Sequence, residues 1–324
     1  MAQSIAGPAV VPASTARPKS EIVAFAVMIA ALVIAPFFAY PLFLMQVLCF
    51  ALFACAFNLL IGYVGLLSFG HALYFGWASY VSAHAAKVWG LPPELAILAG
   101  TATAALAGVV AGSLAIRRQG IYFAMITLAL AQMMYFVALR MKFTGGEDGI
   151  QAVPRGILFG LFDLRNEMTM YVFVLVVFLA GMLFIHRIIH SPFGEVLKAI
   201  RENETRAISL GYKTDRYKLL AFVLSATLAG VAGATKAILL QIASLTDVNW
   251  PMSGEVVLMS LVGGLGTIFG PVVGSFVILA MQYKLAFLGE WVLVIQGVIF
   301  VACVLLFRRG IIGELAHRLG LKGL

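Results

Sequence analysis

Ser68 and His71 stand three residues apart in the run Gly62-Tyr63-Val64-Gly65-Leu66-Leu67-Ser68-Phe69-Gly70-His71-Ala72, the first pair whose types could do chemistry. A nucleophilic serine needs its base within hydrogen-bond reach and a third group to orient that base. No acidic residue is placed for that role, and Gly65-x-x-Ser68-x-Gly70 is not the spacing of a nucleophile elbow. Cys49, Cys55 and Cys303 lie inside apolar runs, form no CxxC pair and read as small buried hydrophobes. Neither a metal site nor a disulfide framework is expected. No Gly-x-x-x-x-Gly-Lys-Ser/Thr loop occurs, so the chain has no such cradle for ATP phosphates. In Thr144-Gly145-Gly146-Glu147-Asp148-Gly149 the two carboxylates lack the further alternating oxygens of a calcium loop. That segment reads either as a solvated turn or as a contact, through Gly145, Gly146, Glu147 and Asp148, for an external partner or ion. The chain is read as no enzyme, with no cofactor of its own.

The elements that would hold these residues are set by composition. Of 324 residues, 62% are hydrophobic and 11% charged, where a soluble domain carries about 25% charge. One core cannot hide that excess, so the missing solvent is lipid, and each crossing needs roughly 20 apolar residues. The expected fold is an all-α polytopic membrane protein with about nine apolar segments: 22–40, 42–61, 63–85, 93–115, 121–140, 168–189, 218–240, 255–283 and 290–307. The segment 255–283 is too long for one plain helix and is interrupted by Gly263, Gly264, Gly266, Gly270 and Pro271, which predicts two half-helices or a re-entrant hairpin. Residues 1–20 read as a disordered cytoplasmic tail, 21–308 as the transmembrane domain and 309–324 as a cytoplasmic tail. A cleaved signal peptide is the rival reading of the N-terminus; the run from Ile22 to Phe38 is long for a signal core, and no clear small-x-small site follows.

Charge sets the orientation. With the N-terminus inside and 255–283 entering and leaving on one side, 15 of the 22 Lys and Arg fall on the inner side. Both termini are then cytoplasmic. The net charge of +8 is explained by these loops, so nucleic acid is not an expected partner, whereas membrane lipid is.

The longest inner polar stretch is 190–217. Ser191 suits a helix cap and Pro192 its first turn. Phe193, Val196, Leu197 and Ile200 follow at helical spacing, with Glu195, Lys198, Arg201 and Glu202 on the other face, and Gly211 suits a left-handed stop. This reads as one amphipathic helix, either lying on the headgroups or fitting a groove on a cytoplasmic partner. Its mixed charge favours the partner, since surface-lying helices are usually strongly basic. The longest external loop is 141–167.

Ion-coupled carriers usually need ionisable groups in mid-span. Here Glu94 and Glu255 read as span starts, and Lys236 as a span end that snorkels, which argues against a carrier. Asn58, Gln132, Gln282 and Gln296 serve either a path or helix–helix hydrogen bonds. The glycine-broken stretches 62–76 and 263–274 are expected to face each other or a path, with Gly65, Ser68, Gly70, His71, Gly264 and Gly266 as candidate path residues. The alternative is that their glycines only permit close packing.

Five stretches together carry a resemblance: Gly62 to Ala72, Gly120-Ile121-Tyr122-Phe123-Ala124-Met125, Thr144 to Gly149, the loop from Ser191 to Gly211, and Gly263-Gly264-Leu265-Gly266-Thr267 with Gly270-Pro271. In order and spacing they closely resemble the branched-chain amino acid ABC transporter permeases of the LivH/LivM family, LivM type, over about residues 25 to 310. The resemblance implies a subunit that moves branched-chain or related amino acids across a bacterial inner membrane by alternating access. It implies two ABC ATPase subunits that bind ATP and Mg, a second homologous permease, and an extracytoplasmic substrate-binding protein. The 190–211 helix would be the coupling helix, with Phe193, Val196, Leu197, Ile200, Arg201, Glu204 and Gly211 toward the ATPase. It departs from the general importer pattern Glu-Ala-Ala-x-x-x-Gly: counted back from Gly211, the glutamate position holds Thr205, so Glu204 does not take that pattern's role. The rival from another class is a stand-alone channel or gradient-driven carrier of a small solute.

Overall fold

The computed structural model describes residues 19–289, 291–306 and 310–318. Most of the expected tail 1–20 lies outside them, as do the last residues of the chain. The long helices are α1 (Lys19–Ile34), α2 (Pro41–Tyr63), α3 (His71–Lys87), α4 (Pro93–Ala115), α5 (Ile121–Arg140) and α6 (Glu167–Ile189). After them come two short helices, α7 (Pro192–Glu202) and α8 (Glu204–Ser209), then α9 (Thr214–Leu240). The chain continues as α10 (Trp250–Gly263), α11 (Gly270–Leu285), α12 (Trp291–Leu306) and α13 (Gly310–Arg318). Five of these, α2, α4, α5, α6 and α9, are long and apolar enough to cross a membrane. The fold is that of an all-α polytopic membrane protein, with two-residue strands as its only sheet among the described residues. These are β1 (Ile150–Gln151), β2 (Ile157–Leu158), β3 (Phe162–Asp163) and β4 (Ile242–Ala243). Strand β1 pairs antiparallel with β4, and β2 with β3.

Local chemistry sets the helix limits. Pro41 and Pro93 open α2 and α4, where a missing N–H costs no helical bond. The Asn166 side chain accepts the Met168 N–H at α6, and the Asn203 side chain accepts the Arg206 N–H at α8. Helix α2 is buried along almost its whole length and forms the centre. Around it α3, α4 and α9 pack through small residues. A Cβ on Gly233 would lie 2.0 Å from the Phe75 carbonyl, and one on Gly100 would lie 2.5 Å from that of Ala78. In lipid, where tails are as apolar as leucine, such close backbone approach is what holds helices together. The outer faces of α4 and α5 expose Leu98, Leu106, Val110, Met125, Met133 and Phe136, a surface suited to acyl chains.

Three sequence expectations change. The predicted span 63–85 is broken, because α3 begins only at His71 and residues 64–70 are irregular. The predicted single helix 190–211 is two, since Asn203 leaves helical geometry (φ −159°, ψ 97°) and caps α8. Part of the predicted C-terminal tail is helix α13, which packs against α10 and α11. The segment 255–283 is the antiparallel pair α10–α11, joined by a turn at 264–269 that reaches the C-terminal end of α2.

Candidate functional site

At the end of the bundle where α2 and α9 meet the short helices, α7 lies across the helix ends. The Ser191 hydroxyl accepts the Gly194 N–H at 3.3 Å and donates to the Ile188 carbonyl at 2.6 Å, fixing the angle between α6 and α7. Gly194 has no room for a side chain, since a Cβ there would lie 2.3 Å from the Ile189 carbonyl. Leu197 and Ile200 are buried against this chain's own bundle, not presented outward. The expected coupling stripe is therefore divided. Phe193 and Val196 are half-buried at the rim of a groove of about 840 Å³ shared with Ala199, Tyr212 and Tyr217. The Phe193 and Tyr217 rings stack at 5.7 Å between centroids. Exposed Ile208, Leu210 and Tyr212 extend this apolar face onto and past α8, residues that helical periodicity over 193–200 does not reach.

The rest of the unit is fastened inward. The Arg201 guanidinium donates to the Gly62 carbonyl and lies over Gly266, while its aliphatic stem lies over Gly65. Gly62 in turn abuts Gly266, where a Cβ on Gly62 would lie 2.8 Å from the Gly266 nitrogen. The Asn58 side chain closes this contact: its amide donates to the Thr267 carbonyl at 2.8 Å, and its oxygen accepts the Gly266 N–H at 3.0 Å. The two glycine-broken segments thus meet at Gly62 and Gly266, under Arg201. Glu204, at the start of α8, accepts from buried Lys218 at 2.5 Å and from the Gln119 amide at 2.9 Å. It is thereby engaged by this chain's own residues. Gly211 (φ +89°) ends α8 in a Schellman arrangement: Tyr212 N–H donates to the Ala207 carbonyl at 3.2 Å and Gly211 N–H to that of Ile208 at 2.9 Å.

Of the other path candidates, Gly65 lines a cavity of about 420 Å³ with Leu66, Phe69, Gly120 and Ile121. Gly264 packs against Gly310 of α13, and Gly70 against the Thr127 backbone of α5. Ser68 accepts the Gly70 N–H at 3.2 Å. His71 is fully buried among Phe57, Tyr74 and Phe222, its Nε2 2.8 Å from the Ser225 hydroxyl. Ser68 and His71 thus have different hydrogen-bond partners, and neither is joined to an acid. No group of three potential metal ligands occurs among the described residues.

At the far side of the bundle, the Thr144 hydroxyl bonds the Ala138 and Met141 carbonyls, and Gly149 approaches the Ala243 backbone where β1 meets β4. Arg155 donates to the Leu239 carbonyl at 2.9 Å. The loop 141–167 is thus tied to α9, leaving Glu147 and Asp148 exposed. Beneath it lies a pair that hydropathy did not reveal. Lys236 of α9 donates to both carboxylate oxygens of Asp247 at 2.6 Å, with side chains 6% and 3% exposed. Lys236 therefore does not snorkel as expected. Glu255, expected at a span start, is the sixth residue of α10 and accepts from Gln282 of α11. Lys236 stands near the C-terminal end of α9, as expected, whereas Glu255 lies within α10 and not at a span start.

A family model described as "Branched-chain amino acid transport system / permease component" matches residues 39–304. The high-affinity branched-chain amino acid transport system permease protein LivM of Escherichia coli (strain K12) is 25% identical over 288 residues, covering 82% of this chain and 68% of that protein. The probable branched-chain amino acid transport permease protein LivH of Methanocaldococcus jannaschii is 28% identical over 169 residues, 48% of this chain and 51% of that one. The ribose import permease protein RbsC of Bacillus subtilis (strain 168) is 30% identical over 202 residues, 56% of this chain and 58% of that one. No solved structure matches.

Proposed function

This chain belongs to the family of branched-chain amino acid transport system permease components, a multi-pass ABC importer permease, and on that premise we propose its orientation, cargo, partners and mechanism. The α7 side faces the cytoplasm of a bacterial inner membrane, as the excess of Lys and Arg in its loops supports. Both termini are then cytoplasmic. The cargo is a branched-chain or related amino acid, as the names of the relatives support.

The observation that carries the mechanism is the α7–α8 unit: an apolar face at Phe193, Val196, Ala199, Ile208, Leu210 and Tyr212, turned away from a body to which Arg201 and Glu204 bind it. A helix lying across a bundle end with such a face suits a groove on a cytoplasmic partner. That partner is an ABC ATPase, one of two that bind ATP and Mg. A second homologous permease completes the membrane part, and an extracytoplasmic binding protein meets the far side, where Glu147 and Asp148 are exposed. Closure of the ATPases pushes α7; Arg201 passes the motion to the α2 end and to the α10–α11 turn, which alternates access.

Co-purification from detergent tests this reading. Recovery of two ATPases and a second permease with the chain is expected. Recovery of the chain alone, still moving solute in liposomes without ATP, would contradict it.

A further inference from the structure

The far-side half of the α10–α11 hairpin holds a cavity that none of the above uses. It is an open pocket of about 530 Å³ between α10, α11 and α12, within the range of about 300–1,000 Å³ usual for small-ligand pockets. Glu255 is its only charged lining residue among those described, and Trp250, Met252 and Leu258 give it an apolar wall. Gln282 donates to one oxygen of Glu255. Gln296 of α12 also lines the cavity; it is 5% exposed and its buried Oε1 has no hydrogen-bond partner. Among the described residues the lining thus offers one carboxylate and no Lys, Arg or His, with the Gln296 Oε1 buried behind the wall. A buried acceptor left unpaired costs roughly 1–3 kcal/mol, and an unpaired buried charge more. The cost at Glu255 falls when a cationic donor enters, and that at Gln296 falls only if its amide turns to meet the donor.

We infer that this cavity is a binding site for a primary ammonium group, with Glu255 as its counter-charge and Gln296, once its amide turns toward the cavity, as a second acceptor. An ammonium brings three N–H donors on one compact charge. The carboxylate and the amide oxygen take two of them, and the apolar wall accepts a branched aliphatic chain. A calcium site usually draws on several carboxylates, and among the described residues this lining holds Glu255 alone. Glu255 sits about 7.5 Å along α10 from its far-side end, at a rise of about 1.5 Å per residue. The other end of that hairpin is the turn beneath Arg201. Resting on the importer reading, the site is where the α-ammonium of the transported amino acid is held before the hairpin moves.

The test is equilibrium binding to the purified complex without its binding protein. The probes are 3-methylbutylamine, which has the ammonium and no carboxylate, and 4-methylpentanoate, which has the reverse. Saturable binding of the amine, weakened at least tenfold in Glu255→Gln and kept in Glu255→Asp, is expected; the acid should not compete. Equal competition by the acid, displacement of the amine by sodium or potassium at equal concentration, or unchanged affinity in Glu255→Gln would overturn the assignment. Should Glu255→Gln fail to assemble, Gln296→Leu leaves the Glu255–Gln282 bond in place, and unchanged amine affinity in that variant overturns the assignment equally. Absence of ATPases from the preparation would sink the importer reading instead, and amine binding to the chain alone would still decide this one.

Discussion

The Arg201 guanidinium donates to the backbone carbonyl of Gly62, 139 residues earlier in the chain. That bond joins the surface helix α7 to the point where α2 and the α10–α11 turn touch. A hydrogen bond to a charged group contributes about 1.5–3 kcal/mol. Arg201→Ala should leave membrane insertion intact and raise the ATP hydrolysed per solute moved in the reconstituted complex. An unchanged ratio would remove Arg201 from the coupling route.

Neighbouring positions on α7 should separate docking from folding. Ala199 is exposed and Ile200 is buried. Ala199→Glu is expected to keep normal membrane abundance but to lose ATPase co-purification. Ile200→Glu is expected to lower abundance itself, because a carboxylate there enters the bundle unpaired. Quantitative blotting of membranes and of the purified complex reads both outcomes; equal abundance for the two variants would contradict the burial of Ile200.

The Gly62–Gly266 contact has a steric test. A methyl on Gly62 would lie 2.5 Å from Asn58 Oδ1 and 2.8 Å from the Gly266 nitrogen, whereas one on Gly254 meets nothing within 4 Å. Gly62→Ala should cost about 1–3 kcal/mol, as overpacking does. Gly254→Ala should be neutral or gain up to about 1 kcal/mol of helix propensity. Thermal unfolding in detergent compares them, and a Gly62→Ala protein as stable as wild type would mean that the two backbones do not touch.

The buried pair Lys236–Asp247 should show strong coupling. Removing one partner leaves a buried charge, at a cost of about 3–5 kcal/mol, whereas replacing both with apolar residues is often close to neutral. Lys236→Met and Asp247→Leu should each destabilise more than the double variant does. The double variant still gives up the Ser244 N–H acceptor that Asp247 provides, about 1 kcal/mol. Additive effects in the same unfolding experiment would contradict a direct pair.

What the sequence made legible follows from which signals are local. Pro93, Arg117-Arg118, Gly120 and Arg140 bracket α4 and α5, and both helices fall at the predicted limits. The break before α3 was legible only in Gly62, Gly65 and Gly70, because residues 64–70 are as apolar as the helices around them and hydropathy does not separate a packed loop from a span. The split at Asn203 was hidden because the apolar spacing ends at Ile200 and Gly211 reads as the helix stop. An amphipathic stripe shows that a face will be covered and not by what; for Leu197 and Ile200 the cover is this chain. Lys236 pairs with a carboxylate on a turn that folds back beneath the far-side loop, which no periodicity marks. Glu255, inside α10, weakens the sequence-based case against a carrier, so the importer assignment rests on the family match and on the α7–α8 face.

The most direct measurement is uptake of radiolabelled leucine into liposomes holding the reassembled complex, with and without ATP at the α7 side. Accumulation that requires ATP and is lost in Ala199→Glu is the expected result. Movement of leucine down its gradient by this chain alone, with no ATP and no effect of Ala199→Glu, would contradict the assignment of the chain to an ATP-driven importer.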